Sequence, residues 1–218
     1  MIVAELLDIL KSDAFVHELD EVSGYLSSVM QERPIQYLIA KSLWKAGREY
    51  ELEFNKHDLT VDDRHIEIKF NYDFFQIKLR SELQKCNGSL DSMFVAQSNG
   101  FGVGPRICKD LGDKCPNIFI WIICSRDLDS IADEHGHRIN FYHKQRGFTA
   151  LSRSDSNYAD LGVIDDFLSR VQDRLKASRP FTIHRHQTVT KGAFPSVYHF
   201  RICNFAFCSN ESGMRPEE

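Results

Sequence analysis

The alternation of polar and apolar residues between His57 and Phe70 is the clearest pattern in the chain. On both sides of Asp62-Asp63, apolar residues occupy every second position. A period of two is typical of half-buried β-strands, and two adjacent aspartates suit the tight turn between them. The pattern therefore predicts a β-hairpin over residues 57–70.

The register of this hairpin brings two carboxylates together. With the aspartate pair at the centre of the turn, Val61 pairs with Arg64, and Asp58 falls directly opposite Glu67. Facing side chains on one sheet face lie about 4.5–5.5 Å apart at Cβ, where like charges destabilise the sheet. A divalent cation between them would replace repulsion by coordination, because hard cations bind carboxylate, water and phosphate oxygens. Lys69 projects from the same face, so the arrangement predicts a metal site for phosphodiester chemistry.

The spacing of apolar residues elsewhere predicts helices and strands in a mixed order. Helices are expected over 2–10, 19–30, 34–46, 74–85 and 160–175, with Asp13 and Ser23 as caps in the first two and Gly47 closing the third. Strands are expected over 49–54, 118–124, 181–183 and 197–207, and the Gly-rich segment 99–105 is expected to break any regular element. The order predicts an α/β fold with a mixed central sheet flanked by helices.

Composition points to one globular domain of ordinary size. The chain has 218 residues, 42% hydrophobic and 27% charged, which is typical of soluble proteins. The longest apolar run, 118–124, is strand-sized, so no membrane span or membrane partner is expected. The absence of a secretory signal and the scattered cysteines predict reduced thiols and a cytoplasmic location. A net charge of −4 disfavours charge-driven nucleic-acid binding but permits a locally basic cleft.

The predicted order of elements is similar to that of a known family. A helix, a strand, a hairpin carrying Asp58 and then Glu67-Ile68-Lys69, a further helix and a buried strand resemble the PD-(D/E)XK superfamily of nucleases. That superfamily includes restriction endonucleases, Holliday-junction resolvases and many phage-defence nucleases. The resemblance covers roughly residues 33–124 and rests on a short motif.

Two positions depart from the family pattern. His57 stands where the proline that gives the family its name would be, and Gln36 stands where the family's helix frequently supplies a further glutamate. Glu32 would supply that carboxylate only if the helix begins before Pro34.

The resemblance implies a restriction endonuclease-like core over 33–124, with a carboxy-terminal β-hairpin extension. Residues 125–208 would then serve dimerisation or DNA contact, and 209–218 would be a tail. It further implies that Asp58, Glu67 and the backbone carbonyl of Ile68 hold one or two Mg²⁺ ions, for which Mn²⁺ can substitute. Lys69 is expected to orient the attacking water or help deprotonate it, and to offset charge on the pentavalent phosphate.

Other polar residues each allow two interpretations. On the helix after the motif, Lys78 and Arg80 are expected to contact DNA phosphates or to form a charged solvent face balanced by Glu82. The Gly-rich segment is either a loop whose amides approach DNA or a plain connector. His184 and His186 are expected on one strand face, solvated or facing DNA. No CxxC pair or CxxC…HxxxH spacing accompanies them, which argues against a structural zinc site.

The function implied by the resemblance is a Mg²⁺-dependent DNA endonuclease, with a type II restriction-type enzyme as the favoured subclass. Cutting both strands of double-stranded DNA with one site per chain favours a homodimer, because the two-fold symmetry of the protein then matches that of the duplex. Two alternatives stay open. One is a junction resolvase, repair or phage-defence nuclease of the same superfamily; the other is a non-catalytic nucleic-acid-binding protein that keeps the fold.

Overall fold

The computed structural model of the chain describes residues 2–25, 32–53, 57–72, 75–86, 90–95, 102–126, 161–191 and 196–206. The helices in these ranges are α1 (Ile2–Lys11), α2 (Asp13–Tyr25), α3 (Glu32–Lys45), α4 (Phe75–Lys85), α5 (Asp91–Val95), α6 (Val103–Asp113) and α7 (Gly162–Leu175). The strands are β1 (Tyr50–Leu52), β2 (Leu59–Val61), β3 (Arg64–Tyr72), β4 (Ile118–Arg126), β5 (Phe181–Thr190) and β6 (Ser196–Phe205).

The strands form one mixed sheet in the order β1-β2-β3-β4-β6-β5. β3 and β4 run parallel, and every other neighbouring pair is antiparallel. Parallel neighbours require a long crossover connection, and here α4, α5 and α6 lie between the two strands along the chain. The predicted class, an α/β fold with a mixed central sheet flanked by helices, is confirmed.

Both faces of the sheet are covered by hydrophobic packing. β4 supplies residues to each side in turn: Ile118 and Ile120 pack with α1, α2 and α3, whereas Phe119 and Trp121 pack with α4, α5, α6 and α7. Alternation along a strand sends successive side chains to opposite faces. A strand that is apolar on both faces, as predicted for 118–124, therefore lies at the centre of this three-layered arrangement.

The hairpin formed by β2 and β3 confirms the predicted register. Val61 pairs with Arg64, and the two central turn residues, Asp62 and Asp63, have φ angles of 47° and 63°. Positive φ at both central positions gives the turn a twist that matches the right-handed twist of the strands. Arg48 binds the Asp62 carboxylate with its Nη1 atom at 2.9 Å, which fixes the turn against the end of α3.

The start of the second helix differs from the prediction. α2 begins at Asp13 rather than at residue 19. The hydroxyl of Ser12 accepts a hydrogen bond from the backbone N–H of Phe15 at 3.2 Å, which satisfies one free amide of the first helical turn. Ser23, predicted as a cap, lies buried inside α2 instead.

The Gly-rich segment also differs from the prediction, because α6 begins within it at Val103. The two carboxylate oxygens of Glu82 accept hydrogen bonds from the amides of Val103 and Gly104, at 3.2 and 2.9 Å. A Cβ atom at Gly102 would lie 2.7 Å from Glu82 Oε1, so the close approach of the Glu82 carboxylate to this backbone requires glycine at position 102. These two amides therefore bind a carboxylate of α4, and Glu82 serves as a cap rather than as part of a solvent face.

The first of the two carboxy-terminal strands is longer than predicted. β5 extends to Thr190, beyond the predicted end at residue 183, because β6 pairs with it along its whole length. The two strands pair antiparallel as predicted, and β6 also pairs with β4, so both strands belong to the central sheet. The predicted tail, 209–218, lies outside the described residues.

We predict that Asp63→Gly stabilises the protein by about 0.5–1 kcal/mol, because glycine adopts the left-handed conformation without the steric cost that a side chain brings. Urea unfolding monitored by circular dichroism measures the change. Asp63→Ala is the matched control and should be less stable than Asp63→Gly. Equal stabilities of the two variants would show that the turn carries no strain.

Candidate functional site

The two predicted acidic residues lie on neighbouring strands of the hairpin. Asp58 directly precedes β2, and its Oδ2 atom accepts a hydrogen bond from the amide of Ile68 at 2.7 Å. Glu67 lies on β3 with its side chain fully buried. The pairing of Leu59 with Ile66, continued by one residue, puts Asp58 opposite Glu67 as predicted.

Asp58 and Glu32 occupy an edge of β3 beside which none of the described residues forms a strand. β2 pairs only with residues 64–66 of β3, so the amides of Ile68 and Phe70 lie beyond its end. Asp58 accepts from the first amide, and Glu32 Oε2 accepts from the second at 3.0 Å. Two carboxylates thus take the place of a pairing strand, which satisfies the backbone and fixes both acids along β3.

The third carboxylate of the site comes from α3. The helix begins at Glu32, before Pro34, which meets the condition under which Glu32 joins the site. Glu32 Oε1 lies 3.9 Å from Lys69 Nζ. Gln36, one turn later on the same helix face, donates a hydrogen bond to the backbone carbonyl of Asp58. Gln36 therefore fixes the backbone at Asp58, and Glu32 supplies the negative charge from α3.

α6 brings two further residues that were not predicted from the sequence. Asp110 Oδ2 lies 3.5 Å from Lys69 Nζ, and Lys114 Nζ lies 2.5 Å from Glu67 Oε1 and 3.6 Å from Asp110 Oδ1. The four-residue spacing puts Asp110 and Lys114 on one helix face. That spacing is visible in the sequence, but it is common on solvated helices, and nothing local indicates that this face meets β3.

Lys69 lies at the centre of the cluster, as its position two residues after Glu67 predicts. Its Nζ atom is 3.3 Å from Glu67 Oε1, in addition to its contacts with Glu32 and Asp110. Burial by itself lowers the pKa of this ammonium, but the surrounding carboxylates, Asp58 included, outweigh burial and raise the pKa of Lys69 above its ordinary range. Lys69 is therefore protonated at neutral pH.

Glu67 has the most perturbed carboxyl group of the cluster. Burial raises the pKa of Glu67 to about 7; Asp58 adds to the rise, and the ammonium groups of Lys114 and Lys69 oppose it. Burial likewise raises the pKa of Glu32, against the attraction of Lys69. Four carboxylates face two ammonium groups, so the fully ionised cluster carries two excess negative charges.

The donor chemistry of this cluster suits a hard divalent cation. Carboxylate oxygens and a backbone carbonyl are the ligands that such ions take, and two excess negative charges match one divalent ion. Glu67 Oε2 is buried and accepts no hydrogen bond from the described part of the chain. The acidic side chains nevertheless contact the two lysines. Among the described residues, no three acidic, histidine or cysteine side chains are arranged to hold a metal ion.

Lys78 and Arg80 both lie on α4, the helix after the motif, as predicted. Two residues correspond to about 200° of rotation around a helix, so these side chains do not share a face. Arg80 is exposed and Lys78 is half-buried. Contact of either residue with DNA stays a prediction.

His186 does not have the solvated or DNA-facing position predicted for it. Its Nε2 atom lies 3.1 Å from the backbone carbonyl of Leu10, and its ring stacks on Phe200 with centroids 5.9 Å apart. The imidazole thus packs between α1 and the sheet. His184 is partly buried, with its Nε2 atom 3.2 Å from the hydroxyl of Thr182.

Comparisons of the chain with protein-family models, with curated proteins and with solved structures found no match. No helix within the described ranges is both long enough and apolar enough to cross a membrane.

We predict a pH-dependent loss of stability that originates at Glu67. A carboxyl group whose pKa is raised from 4.5 to about 7 on folding favours the folded state when it is protonated. That contribution is present below pH 4.5 and is lost as pH rises through 7, an effect of about 3 kcal/mol. The free energy of unfolding of the wild type, minus that of Glu67→Gln, should therefore fall across this range.

Urea unfolding at a series of pH values measures this difference. Glu51→Gln, at an exposed position of β1, is the matched control for removal of a carboxylate away from the cluster. A difference between wild type and Glu67→Gln that is constant with pH would contradict the perturbed ionisation of Glu67.

Proposed function

We propose that the protein is a Mg²⁺-dependent endonuclease that hydrolyses phosphodiester bonds in DNA. The observation that carries the proposal is the convergence of Asp58, Glu67 and Glu32 around the ammonium group of Lys69. The order of elements supports it too: a helix with a carboxylate, three antiparallel strands, further helices and a strand parallel to the third follow one another. This order agrees with the restriction endonuclease-like core that the resemblance implies.

Asp58, Glu67 and the carbonyl of Ile68 would hold the ion, with Glu32 as an additional carboxylate from α3. When bound, Mg²⁺ would lower the pKa of the attacking water and neutralise charge on the phosphate. The amides that bind Asp58 and Glu32 hold these side chains in place before any ligand arrives. Such preorganisation removes reorganisation cost from the reaction.

Lys69 acts in this proposal as a fixed positive charge. Its raised pKa keeps it an ammonium, which favours orientation of the attacking water over removal of a proton from it. An ammonium placed beside the phosphate stabilises the negative charge that grows in the pentavalent transition state. A single group of this kind contributes about 10²–10³ in rate.

We propose double-stranded DNA as the substrate and a homodimer as the working assembly, because one site per chain cuts one strand. A type II restriction-type enzyme is the subclass we favour. Within the same superfamily, a junction resolvase, a repair nuclease or a phage-defence nuclease would use the same site. On α4 we propose Arg80, the exposed one of the two basic residues, for phosphate contact; Lys78 lies on another face of the helix and would contact DNA only from there.

A non-catalytic nucleic-acid-binding protein is the second candidate function. It is favoured by the two lysines that bind Glu67, since they partly neutralise the carboxylate in place of a metal. The arrangement of the described acidic side chains, which forms no ready-made ligand group, also favours it.

Incubation with plasmid and phage DNA in Mg²⁺, with and without EDTA, distinguishes these functions. We expect cleavage that EDTA abolishes. Discrete fragments identify a restriction-type enzyme, and a smear identifies a nuclease without sequence preference. Binding in a gel-shift assay without any cleavage in Mg²⁺ or Mn²⁺ would overturn the proposal in favour of the binding protein.

We predict that Asp58→Asn and Lys69→Met each lower the cleavage rate by at least about 10²-fold. The amide side chain of the first variant retains an oxygen that can accept from the amide of Ile68, so the substitution removes charge while keeping the backbone contact. Lys69→Met removes the ammonium and keeps an unbranched side chain of similar length. Single-turnover cleavage of a plasmid measures both rates.

The matched controls are Asp63→Asn, on the same hairpin, and Lys109→Met, an exposed position on α6. Both should cleave at the wild-type rate. Thermal unfolding monitored by circular dichroism checks that every variant is folded. Cleavage by folded Asp58→Asn or Lys69→Met at the rate of the controls would remove these residues from the site.

A further inference from the structure

Lys114 makes the shortest ionic contact of the cluster and belongs to no part of the motif that identified the site. It directly follows α6, and its Nζ atom lies 2.5 Å from Glu67 Oε1. Among the described residues, it also contacts the carboxylate of Asp110, at 3.6 Å. Lys69, by comparison, contacts three carboxylates at 3.3 to 3.9 Å. Glu67 is therefore bound more closely by Lys114 than by the lysine of the motif.

The contact occupies one of the two carboxylate oxygens with which Glu67 would hold the ion. Glu67 is fully buried, and Oε1 receives both ammonium groups while Oε2 accepts no hydrogen bond from the described residues. Mg²⁺ binds oxygen at about 2.0–2.1 Å. An ion on Oε1 together with an ammonium at its present distance would put two positive groups within about 4 Å, where they repel strongly in a buried site.

Lys114 is also the ammonium that can leave more readily. Among the described residues it contacts two carboxylates, against three for Lys69, and it follows the end of α6 rather than lying in the middle of a sheet. Its side chain is 27% exposed, close to the 25% of Lys69, so its charge can reach water, where solvation replaces the lost ion pair. Asp110, one turn earlier, stays within reach as an acceptor.

We propose that Lys114 is a built-in counter-ion that competes with the divalent cation for Glu67 and releases this carboxylate when the cation binds. The inference rests on the proposed function for the identity of the ligand. It adds a positioning residue from α6 that tunes the affinity of the site for the metal. In the absence of metal, the same residue stabilises the buried acid.

Isothermal titration of the full chain with Mg²⁺, in the absence of DNA, tests the proposal. Lys114→Met removes the competing charge and should bind Mg²⁺ at least about tenfold more tightly than the wild type. Lys114→Arg keeps the charge and should bind like the wild type, as should the surface control Lys109→Met. Manganese binding followed by electron paramagnetic resonance gives a second readout that needs no enzymatic activity.

Equal or weaker Mg²⁺ binding by Lys114→Met would overturn the proposal, and so would the absence of binding by every variant. If Lys114→Met does not fold, Lys114→Gln provides the same comparison. The outcome is separable from the proposed function. If the protein cleaves no DNA but Lys114→Met binds Mg²⁺ more tightly than the wild type, the counter-ion proposal stands and the nuclease proposal fails.

Discussion

The buried carboxylate of Glu67 is the constraint on which the rest of the site depends. An ionised acid in the interior is costly unless opposite charges and hydrogen bonds surround it. Lys69 on the same strand and Lys114 at the end of α6 supply those charges. Even so, burial prevails in part and raises the pKa of Glu67 to about 7. A buried carboxyl group with a pKa near 7, held by specific charged partners, makes this cluster a candidate functional site.

The short length of β2 determines where the other acidic side chains of the site lie. Because β2 begins at Leu59, opposite Ile66, the next two outward amides of β3 have no strand partner among the described residues, and the carboxylates of Asp58 and Glu32 bind them. Each acid is thereby held by the backbone of the strand that carries Glu67 and Lys69. The contact that satisfies the sheet edge also lines up the acids, so fold stability and site geometry have one physical origin.

Local sequence patterns predicted the structural features that depend on residues close together in the chain. The alternation around Asp62-Asp63 was sufficient for the hairpin and its register, because turn geometry and the two-residue period together fix which side chains share a face. The sequence predicted no helix at α6, because its cap, Glu82, lies about twenty residues earlier on another helix. A glycine-rich segment carries no sign of a distant carboxylate, so its amides were equally compatible with a connector or a phosphate contact.

The sequence by itself determined that Glu67 and Lys69 share one face of a strand and that Asp58 lies across from them, since strand periodicity permits no other arrangement. Only the tertiary structure decided that α3 starts early enough for Glu32 to join, and that α6 turns Lys114 towards the sheet. These contacts join residues 38 and 47 positions apart in the sequence. Their formation depends on how helices pack against the two faces of the sheet, and packing is a property of the whole core.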